Sequence, residues 1–257
     1  MKLLGIIVAI ISFLLLVVSH EFGHMIVGKL CGVRVDEFSV GMGPLIFKKQ
    51  KGETQYSLRA IPFGGYCKFD EDAEESDDPR AFINASWWKR ALILFAGAFM
   101  NFLVFLIIML TVFMIIGIPQ AELSVVIPWA FKNTFGICKD FVAETIGFFG
   151  RLFAGKAAAD EVVGIVGIVD IFAEELEYGF INVVYFMGII SLDLAFVNLL
   201  PFPALDGGRL LFIFIELITH NKVSKRVENA INTVGFMILM ALAVMLIFKD
   251  TFNLILK

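Results

Sequence analysis

Apolar residues along this chain are gathered into long runs that alternate with shorter polar segments. Three continuous runs cover about 3–27, 91–118 and 231–248, and a further run covers 181–200, is interrupted by PFPALDGG and continues to 218. A bilayer core of about 30 Å is crossed by about 20 residues of α-helix. The pattern therefore predicts four membrane-spanning helices, one of which is broken near its end.

The composition indicates an integral membrane protein. Of the 257 residues, 59% are hydrophobic and 18% are charged, which lies outside the range of soluble globular domains. We therefore expect an all-α polytopic membrane protein that forms one membrane-embedded domain over 1–257. Its surroundings would be the lipid bilayer, and we expect no nucleic acid among its partners.

Lysine and arginine are distributed unevenly among the polar segments. The segment 28–90 holds ten of them, 119–180 holds four and 219–230 holds three. Because cytoplasmic loops carry the excess of positive charge, the first loop is expected on the cytoplasmic side and the N-terminus on the outer side. The first apolar run continues past His24, which favours an uncleaved span over a signal peptide.

Three segments between the spans depart from the pattern of a membrane helix. Residues 36–69 contain stretches of β character at about 44–49 and 54–61 on either side of QKGE, which predicts a hairpin in a small membrane-associated β element on the cytoplasmic side. The acidic run at 70–80 predicts a solvated linker. Mixed apolar and charged residues over 119–180 predict amphipathic helices on the outer membrane surface.

Two of the three histidines lie in the first span, four residues apart, in the sequence HEFGH. On a helix, His20 and His24 share one face, so both imidazoles can reach one metal ion. Glu21 can accept a proton from a water molecule that such a metal activates. The alternative is a polar trio satisfied by neighbouring helices, but ionisable groups at membrane depth cost about 2.5 kcal/mol or more and are seldom kept for packing alone.

A catalytic zinc site needs a third protein ligand and a free position for water. His20 lies about 25 Å into the first span at about 1.5 Å per residue, and the span that starts near Ile181 reaches this depth close to Leu200. Asp206 follows directly, in a segment that prolines and glycines exclude from a regular helix. The rival ligand, Asp193, lies only about 18 Å deep, so Asp206 is favoured.

HEFGH together with NLLPFPALDGG resembles the site-2 protease family, the intramembrane zinc metalloproteases, and is most similar to the bacterial branch that includes the regulator-of-sigma-E protease. Three further stretches are similar to that branch, namely RAIPFGGYCKF, WWKRALILFAGAFMNFLVF and VVGIVGIVD. Two features differ from the family pattern. Ala98 stands where the family has proline, and the interval 119–180 is too short for the PDZ domain that many relatives carry there.

The resemblance implies a role for each residue that matches the family's motifs. His20, His24 and Asp206 would bind Zn²⁺, and Glu21 would activate the water that attacks the peptide bond. Asn198 would help to hold or polarise the substrate backbone near the metal.

The β element has two interpretations. It can offer a sheet edge, at Gly64, Gly65 and Tyr66, to which an unwound substrate segment adds as a strand, or it can be a hairpin that only closes the cytoplasmic side. By resemblance, the substrates would be single-span membrane proteins such as anti-sigma factors, or signal-peptide-like remnants. Cleavage would take place in a bacterial plasma membrane, near its cytoplasmic face.

The sequence thus predicts a zinc-dependent metalloendopeptidase that acts in regulated intramembrane proteolysis. A membrane metal transporter or sensor is the first alternative, although a transporter usually has several sites along a path or paired repeats, whereas one cluster at one depth is seen here. A protease-like protein that binds transmembrane segments without cleaving them is the second alternative. The presence of Glu21 argues against it.

Overall fold

The computed structural model describes residues 2–69, 76–156, 162–221 and 223–256, so most of the predicted acidic linker, at 70–75, lies outside the described residues. The described chain is mainly helical. Its helices are α1 (Lys2–Leu30), α2 (Trp87–Gly117), α3 (Leu123–Phe153), α4 (Ile165–Tyr178), α5 (Phe180–Leu199), α6 (Asp206–Thr219) and α7 (Lys225–Leu256), with a 3₁₀ turn at Phe82–Asn84. Two antiparallel strands, β1 (Val35–Lys51) and β2 (Thr54–Phe69), form a small sheet.

Four of the described helices are long and apolar enough to cross a bilayer, which confirms the predicted helical membrane protein with a small β element. They cover Leu3–Leu30, Trp87–Gly117, Phe180–Leu199 and Lys225–Leu254. The last helix begins earlier than the apolar run at 231–248, because polar residues at the end of a span can continue the helix beyond the hydrocarbon.

Residue contacts divide the chain into two compact units. The first comprises Met1–Ala9, Val104–Leu192 and Leu242–Lys257, and the second comprises Ile10–Leu103 and Asp193–Ala241. All the residues of the candidate site belong to the second unit.

The first unit contains α3 and α4, which fill the interval between the second and third spans. On α3, Val126, Ala130 and Thr134 are fully or almost fully buried and lie four residues apart, so they form one inward stripe of this helix. The start of α4 is held by Asp250, whose carboxylate accepts a hydrogen bond from the Gly167 N–H at 2.9 Å. The described parts of this interval are therefore mainly helical.

The second unit is built around an apolar cluster that joins the sheet to α1, α2 and α6. Its buried members are Met25, Val33, Val35, Phe38, Phe69, Phe82, Ile93, Leu94 and Ile213. The cluster holds the sheet against the helices that carry the HEFGH segment and Asp206, so the position of the sheet is coupled to that of the site.

The strands are longer than the two short β stretches expected from the sequence. Glycines with positive φ, Gly41 (81°), Gly43 (80°) and Gly64 (88°), let each strand bend and continue. Residues 37–40 of β1 consequently have partners on both sides, 55–58 and 65–68. Within the described residues, the 65–69 end of β2 pairs with β1 alone, so it forms an edge of the sheet.

A break separates α5 from α6. Residues 200–205 contain Pro201 and Pro203 and include Ala204, which adopts a left-handed conformation with φ 71°. Asp206 is the first residue of α6 after this break. The fold therefore places a carboxylate at the start of a helix, directly after irregular backbone.

Candidate metal centre

Two imidazoles of α1 face the same point in the interior of the second unit. His20 and His24 are one helical turn apart, and their side chains are about one-tenth exposed or less. Their Nε2 atoms lie 3.1 Å from each other, and the rings meet edge to face with centroids 4.7 Å apart. The spacing that sequence analysis singled out thus brings both nitrogens together.

The tautomer of His24 is set by its second ring nitrogen. His24 Nδ1 lies 2.7 Å from the carbonyl oxygen of Ile93 on α2. Because a carbonyl can only accept a hydrogen bond, Nδ1 carries the proton and Nε2 presents its lone pair. This arrangement is typical of histidines that bind metals, where the second nitrogen donates to a backbone or carboxylate oxygen.

Asp206 completes the group from α6. Its Oδ2 lies 3.0 Å from His20 Nε2 and 3.2 Å from His24 Nε2. In a tetrahedral zinc site with bonds of about 2.0–2.1 Å, neighbouring ligand atoms are about 3.3 Å apart. The three atoms therefore fit one face of a tetrahedron around zinc, with the fourth position left for water or substrate.

Glycines let the chain bring Asp206 to this position. A Cβ at Gly207 would collide with the carbonyl oxygens of Leu199 and Leu200, and a Cβ at Gly208 would lie 2.8 Å from the carbonyl carbon of Phe202. The start of α6 is thus folded directly onto the preceding loop. The sequence signal for this geometry was the PFPALDGG interruption.

A glycine of α2 lies against the two imidazoles. A Cβ at Gly97 would be 2.7 Å from His20 Cε1 and closer still to His24 Nε2. Gly23 of α1 packs against the backbone of Ala96, where a Cβ would lie 2.9 Å from the carbonyl carbon. These two glycines allow α1 and α2 to touch at the level of the site. Gly97 lies in WWKRALILFAGAFMNFLVF, one of the stretches that are similar to the family, but no local sequence pattern pointed to its contact with the imidazoles.

Glu21 contacts the edge of the sheet. Its Oε2 accepts a hydrogen bond from the backbone N–H of Cys67 at 2.9 Å. A Cβ on the neighbouring Gly65 would lie 3.8 Å from Glu21 Cγ. The 65–69 edge, which includes part of the predicted Gly64, Gly65 and Tyr66 segment, therefore lies next to the carboxylate. This contact could not be predicted from the sequence, because no local pattern links residues so far apart.

The side chains of Asn198 and Asp193 do not belong to this group of ligand atoms. Asn198 Nδ2 donates to the carbonyl oxygen of Leu194 at 3.0 Å, so this amide is engaged with its own helix. Asp193 is exposed, and among the described residues the group that could hold a metal consists of His20, His24 and Asp206 without it.

A buried ion pair near the site was also not foreseen. Arg90, in the first turn of α2, donates to Glu216 of α6 at 2.6 Å, and the two side chains are 10% and 13% exposed. The pair connects the helix that contacts the imidazoles with the helix that begins at Asp206. The 126 positions that separate the two residues explain why sequence reasoning did not link them.

A polytopic membrane protein with an H-E-x-x-H helix and a converging aspartate has the features of an intramembrane zinc metallopeptidase. The comparison with known families agrees with this class. The chain belongs to Peptidase family M50, whose model matches residues 8–242.

Proteins from bacteria and from a plant are among those similar to this chain. A protein of Clostridium acetobutylicum named as a zinc metalloprotease is 31% identical, over 97% of this chain and 98% of the relative. A protein of Clostridium perfringens that is also named as a zinc metalloprotease is 29% identical, over 95% of this chain and 98% of the relative. The membrane metalloprotease ARASP of Arabidopsis thaliana chloroplasts is 25% identical, over 93% and 77%.

The protein is therefore a zinc metalloprotease of the site-2 type, and zinc is its cofactor. The alignment with the Clostridium perfringens relative spans 327 positions, whereas this chain has 257 residues. That relative consequently has segments without a counterpart here.

Proposed function

We propose that this protein hydrolyses peptide bonds in or near transmembrane segments, with zinc held by His20, His24 and Asp206. The observation that carries the proposal is the triangle of His20 Nε2, His24 Nε2 and Asp206 Oδ2, with sides of 3.0–3.2 Å. Glu21, next to the first histidine in the chain, supplies a carboxylate that interacts electrostatically with all three residues of this triangle. Together they make up the ligands and the base that hydrolysis requires.

In the proposed reaction, zinc supplies Lewis acidity and an activated water molecule. Glu21 takes the proton of the attacking water and passes it to the leaving amine. The Cys67 N–H holds one oxygen of Glu21, which keeps the carboxylate in a fixed orientation during both transfers. Asn198 would polarise the scissile carbonyl, which requires its amide to leave the carbonyl of Leu194.

The substrate would add as a strand to the edge at Gly64, Gly65 and Tyr66. A peptide bond within a helix is hydrogen-bonded and shielded, so the segment must be extended before hydrolysis. The Cys67–Glu21 hydrogen bond supports this proposal, since it connects the 65–69 edge to the general base. A strand on this edge would pass beside the base, and its backbone hydrogen bonds would provide affinity.

The substrates would be single-span membrane proteins such as anti-sigma factors, or signal-peptide-like remnants, cleaved as part of regulated intramembrane proteolysis. The ten lysines and arginines in 28–90 support a cytoplasmic first loop. With that orientation, His20 lies near the cytoplasmic face of a bacterial plasma membrane, and the N-terminus is outside.

The general base is tested with purified protein in liposomes that also contain a fluorogenic transmembrane peptide. Glu21→Gln should keep its zinc and lose cleavage by about 100-fold or more, which is the usual contribution of a general base. Equal cleavage by both proteins would contradict the proposal. Zinc flux into the vesicles that survives Glu21→Gln would favour a transporter instead, and peptide binding by the wild type without cleavage would favour a silent binder.

The ligand set is tested by zinc content, with two carboxylates of the same region as a matched pair. Asp206→Ala should lower the zinc content well below one ion per chain, whereas Asp193→Ala should leave it unchanged. Normal zinc in Asp206→Ala would refute the third ligand. Reduced zinc in Asp193→Ala alone would transfer the role to the rival carboxylate.

Strand addition is tested with the substrate. Methylation of single backbone amides of the peptide near the scissile bond removes N–H donors without changing its side chains. Cleavage should fall at alternate positions, because every second N–H of an added strand points to the sheet. A uniform response to methylation would favour the hairpin that only closes the cytoplasmic side.

A further inference from the structure

One face of α7 contacts both the loop that precedes Asp206 and the helix that follows it. Glu228, Asn232 and Gly235 are spaced four and three residues apart, so they lie on the same side of α7. We infer that these three residues, the contact face of α7, position Asp206 for metal binding. The inference rests on the proposed role of Asp206 as a zinc ligand.

Asn232 holds the loop on the N-terminal side of Asp206. Its Oδ1 accepts a hydrogen bond from the backbone N–H of Ala204 at 3.1 Å. Ala204 has φ 71°, a left-handed conformation that is unfavourable for a residue with a Cβ. The hydrogen bond that Ala204 donates to α7 therefore stabilises a strained turn two residues before the carboxylate.

Gly235 allows α7 to reach this loop. A Cβ at Gly235 would lie 2.8 Å from the carbonyl oxygen and 2.9 Å from the carbonyl carbon of Pro203, and even closer to its Cβ. Such distances require the loop or the helix to move. The glycine thus fixes how closely α7 approaches the proline-rich segment.

Glu228 holds the C-terminal side of Asp206. Its buried carboxylate lies 3.7 Å from Arg209 Nε and 2.9 Å from Lys225 Nζ. Arg209 is on the first turn of α6, three residues after Asp206. The contact face therefore reaches the chain on both sides of Asp206, through the backbone N–H of Ala204 on one side and the side chain of Arg209 on the other.

This arrangement fits a positioning role, because none of the three residues belongs to the group of ligand atoms. Groups that orient a metal ligand typically contribute 10–100-fold to metal affinity. A contact that served packing alone would change the thermal stability of the metal-free protein and leave the metal site unchanged. A measurement of zinc affinity therefore distinguishes a role in positioning Asp206 from a role in packing alone.

The test compares zinc affinity, by chelator competition on the purified full-length protein, between Asn232→Leu and a control. Asn229→Leu is the matched control, since Asn229 is exposed on the same helix. Asn232→Leu should bind zinc about tenfold to a hundredfold more weakly, and the absorption spectrum of its cobalt-loaded form should shift. Asn229→Leu should match the wild type, and Asn232→Asp, which keeps an acceptor oxygen, should recover most of the affinity.

Wild-type zinc affinity and an unchanged cobalt spectrum in Asn232→Leu would overturn the inference. If that variant does not accumulate as folded protein, Gly235→Ala gives the answer, because alanine favours a helix more than glycine while its Cβ displaces Pro203. Weaker zinc binding supports positioning, and unchanged binding overturns it. Failure of the proposed function is recognised separately, since Asp206→Ala would then also bind zinc normally.

Discussion

The backbone N–H of Cys67 donates to Glu21 Oε2 at 2.9 Å, so the end of β2 and the HEFGH helix share a hydrogen bond. Cys67 lies in the 65–69 edge, which pairs with β1 on one side only among the described residues. The edge that we propose for the substrate is therefore in contact with the residue that we propose as the base. A substrate strand bound there can affect the carboxylate directly.

Removal of this N–H should lower catalysis without removing zinc. Cys67→Pro deletes the donor at a strand edge, where proline is tolerated, whereas Cys67→Ala keeps the donor and serves as the control. A hydrogen bond to a charged group contributes about 1.5–3 kcal/mol, so kcat should fall about tenfold to a hundredfold. Peptide cleavage and zinc content check this. Full activity in Cys67→Pro would show that Glu21 does not depend on the bond.

A methyl group at Gly97 should displace the imidazoles of His20 and His24, which we propose as zinc ligands. In Gly97→Ala the new Cβ would lie within 2.7 Å of His20 Cε1 and nearer still to His24, so either α2 or the imidazoles must move. We expect zinc affinity to fall at least tenfold, by analogy with other changes that disturb ligand orientation. Gly136→Ala on α3 is the control, because a Cβ there meets no atom within 4 Å. Unchanged zinc affinity in Gly97→Ala, measured by chelator competition, would contradict the close packing of α1 and α2.

The spans and the histidine pair could be predicted because both depend on local periodicity. Helical spacing places His20 and His24 on one face, and the structure brings their Nε2 atoms to 3.1 Å. Asp206 could be found from a depth estimate and from the prolines and glycines before and after it. The histidine pair thus needs only a few neighbouring residues, whereas Asp206 also needs the lengths of two apolar runs to be compared.

The contacts around these residues could not be predicted in the same way. Glu21 and Cys67 are 46 positions apart, and no pattern in either segment points to the other. The hydrogen bond from Ala204 to Asn232 depends on a left-handed alanine, a conformation that sequence preferences assign to glycine. Both contacts depend on tertiary packing, so they cannot be predicted from local patterns in a single sequence.

The sheet should weaken in acid because of Glu37. Burial alone would raise the pKa of Glu37, but hydrogen bonds from Ser57, Arg59 and Tyr66 outweigh it, so the pKa lies below the ordinary value of 4.5. On unfolding the pKa rises to that ordinary value. The ionised carboxylate therefore stabilises the fold above about pH 4.5, and this stability is lost as the pH falls through the folded-state pKa.

Unfolding free energies measured from about pH 6 to about pH 3 check this prediction. The wild type should lose stability more steeply than Glu37→Gln, which has no carboxylate to protonate. Parallel curves for the two proteins would show that Glu37 contributes nothing to the pH dependence.

Loss of one partner of the Arg90–Glu216 ion pair should lower the free energy of unfolding strongly, whereas replacement of both residues by apolar ones should lower it little. Both side chains are largely buried, and the Nη2 to Oε2 distance is 2.6 Å. Arg90→Met alone leaves a carboxylate without its partner and should lower the free energy of unfolding by about 3 kcal/mol. The double variant Arg90→Met with Glu216→Leu removes both charges and should recover most of that loss. Arg80→Met is the control, since Arg80 is 54% exposed in its pair with Glu53 and such pairs contribute less than about 1 kcal/mol.

Chemical unfolding in detergent, combined with zinc affinity, decides what the pair does. Because it joins the start of α2 to α6, the single variant should also bind zinc more weakly, and the double variant should regain binding together with stability. A double variant that is stable but still binds zinc weakly would mean that the charges themselves orient α6. If Arg90→Met and Arg80→Met lower the free energy of unfolding equally, the buried pair contributes no more to stability than the exposed pair of Arg80 and Glu53.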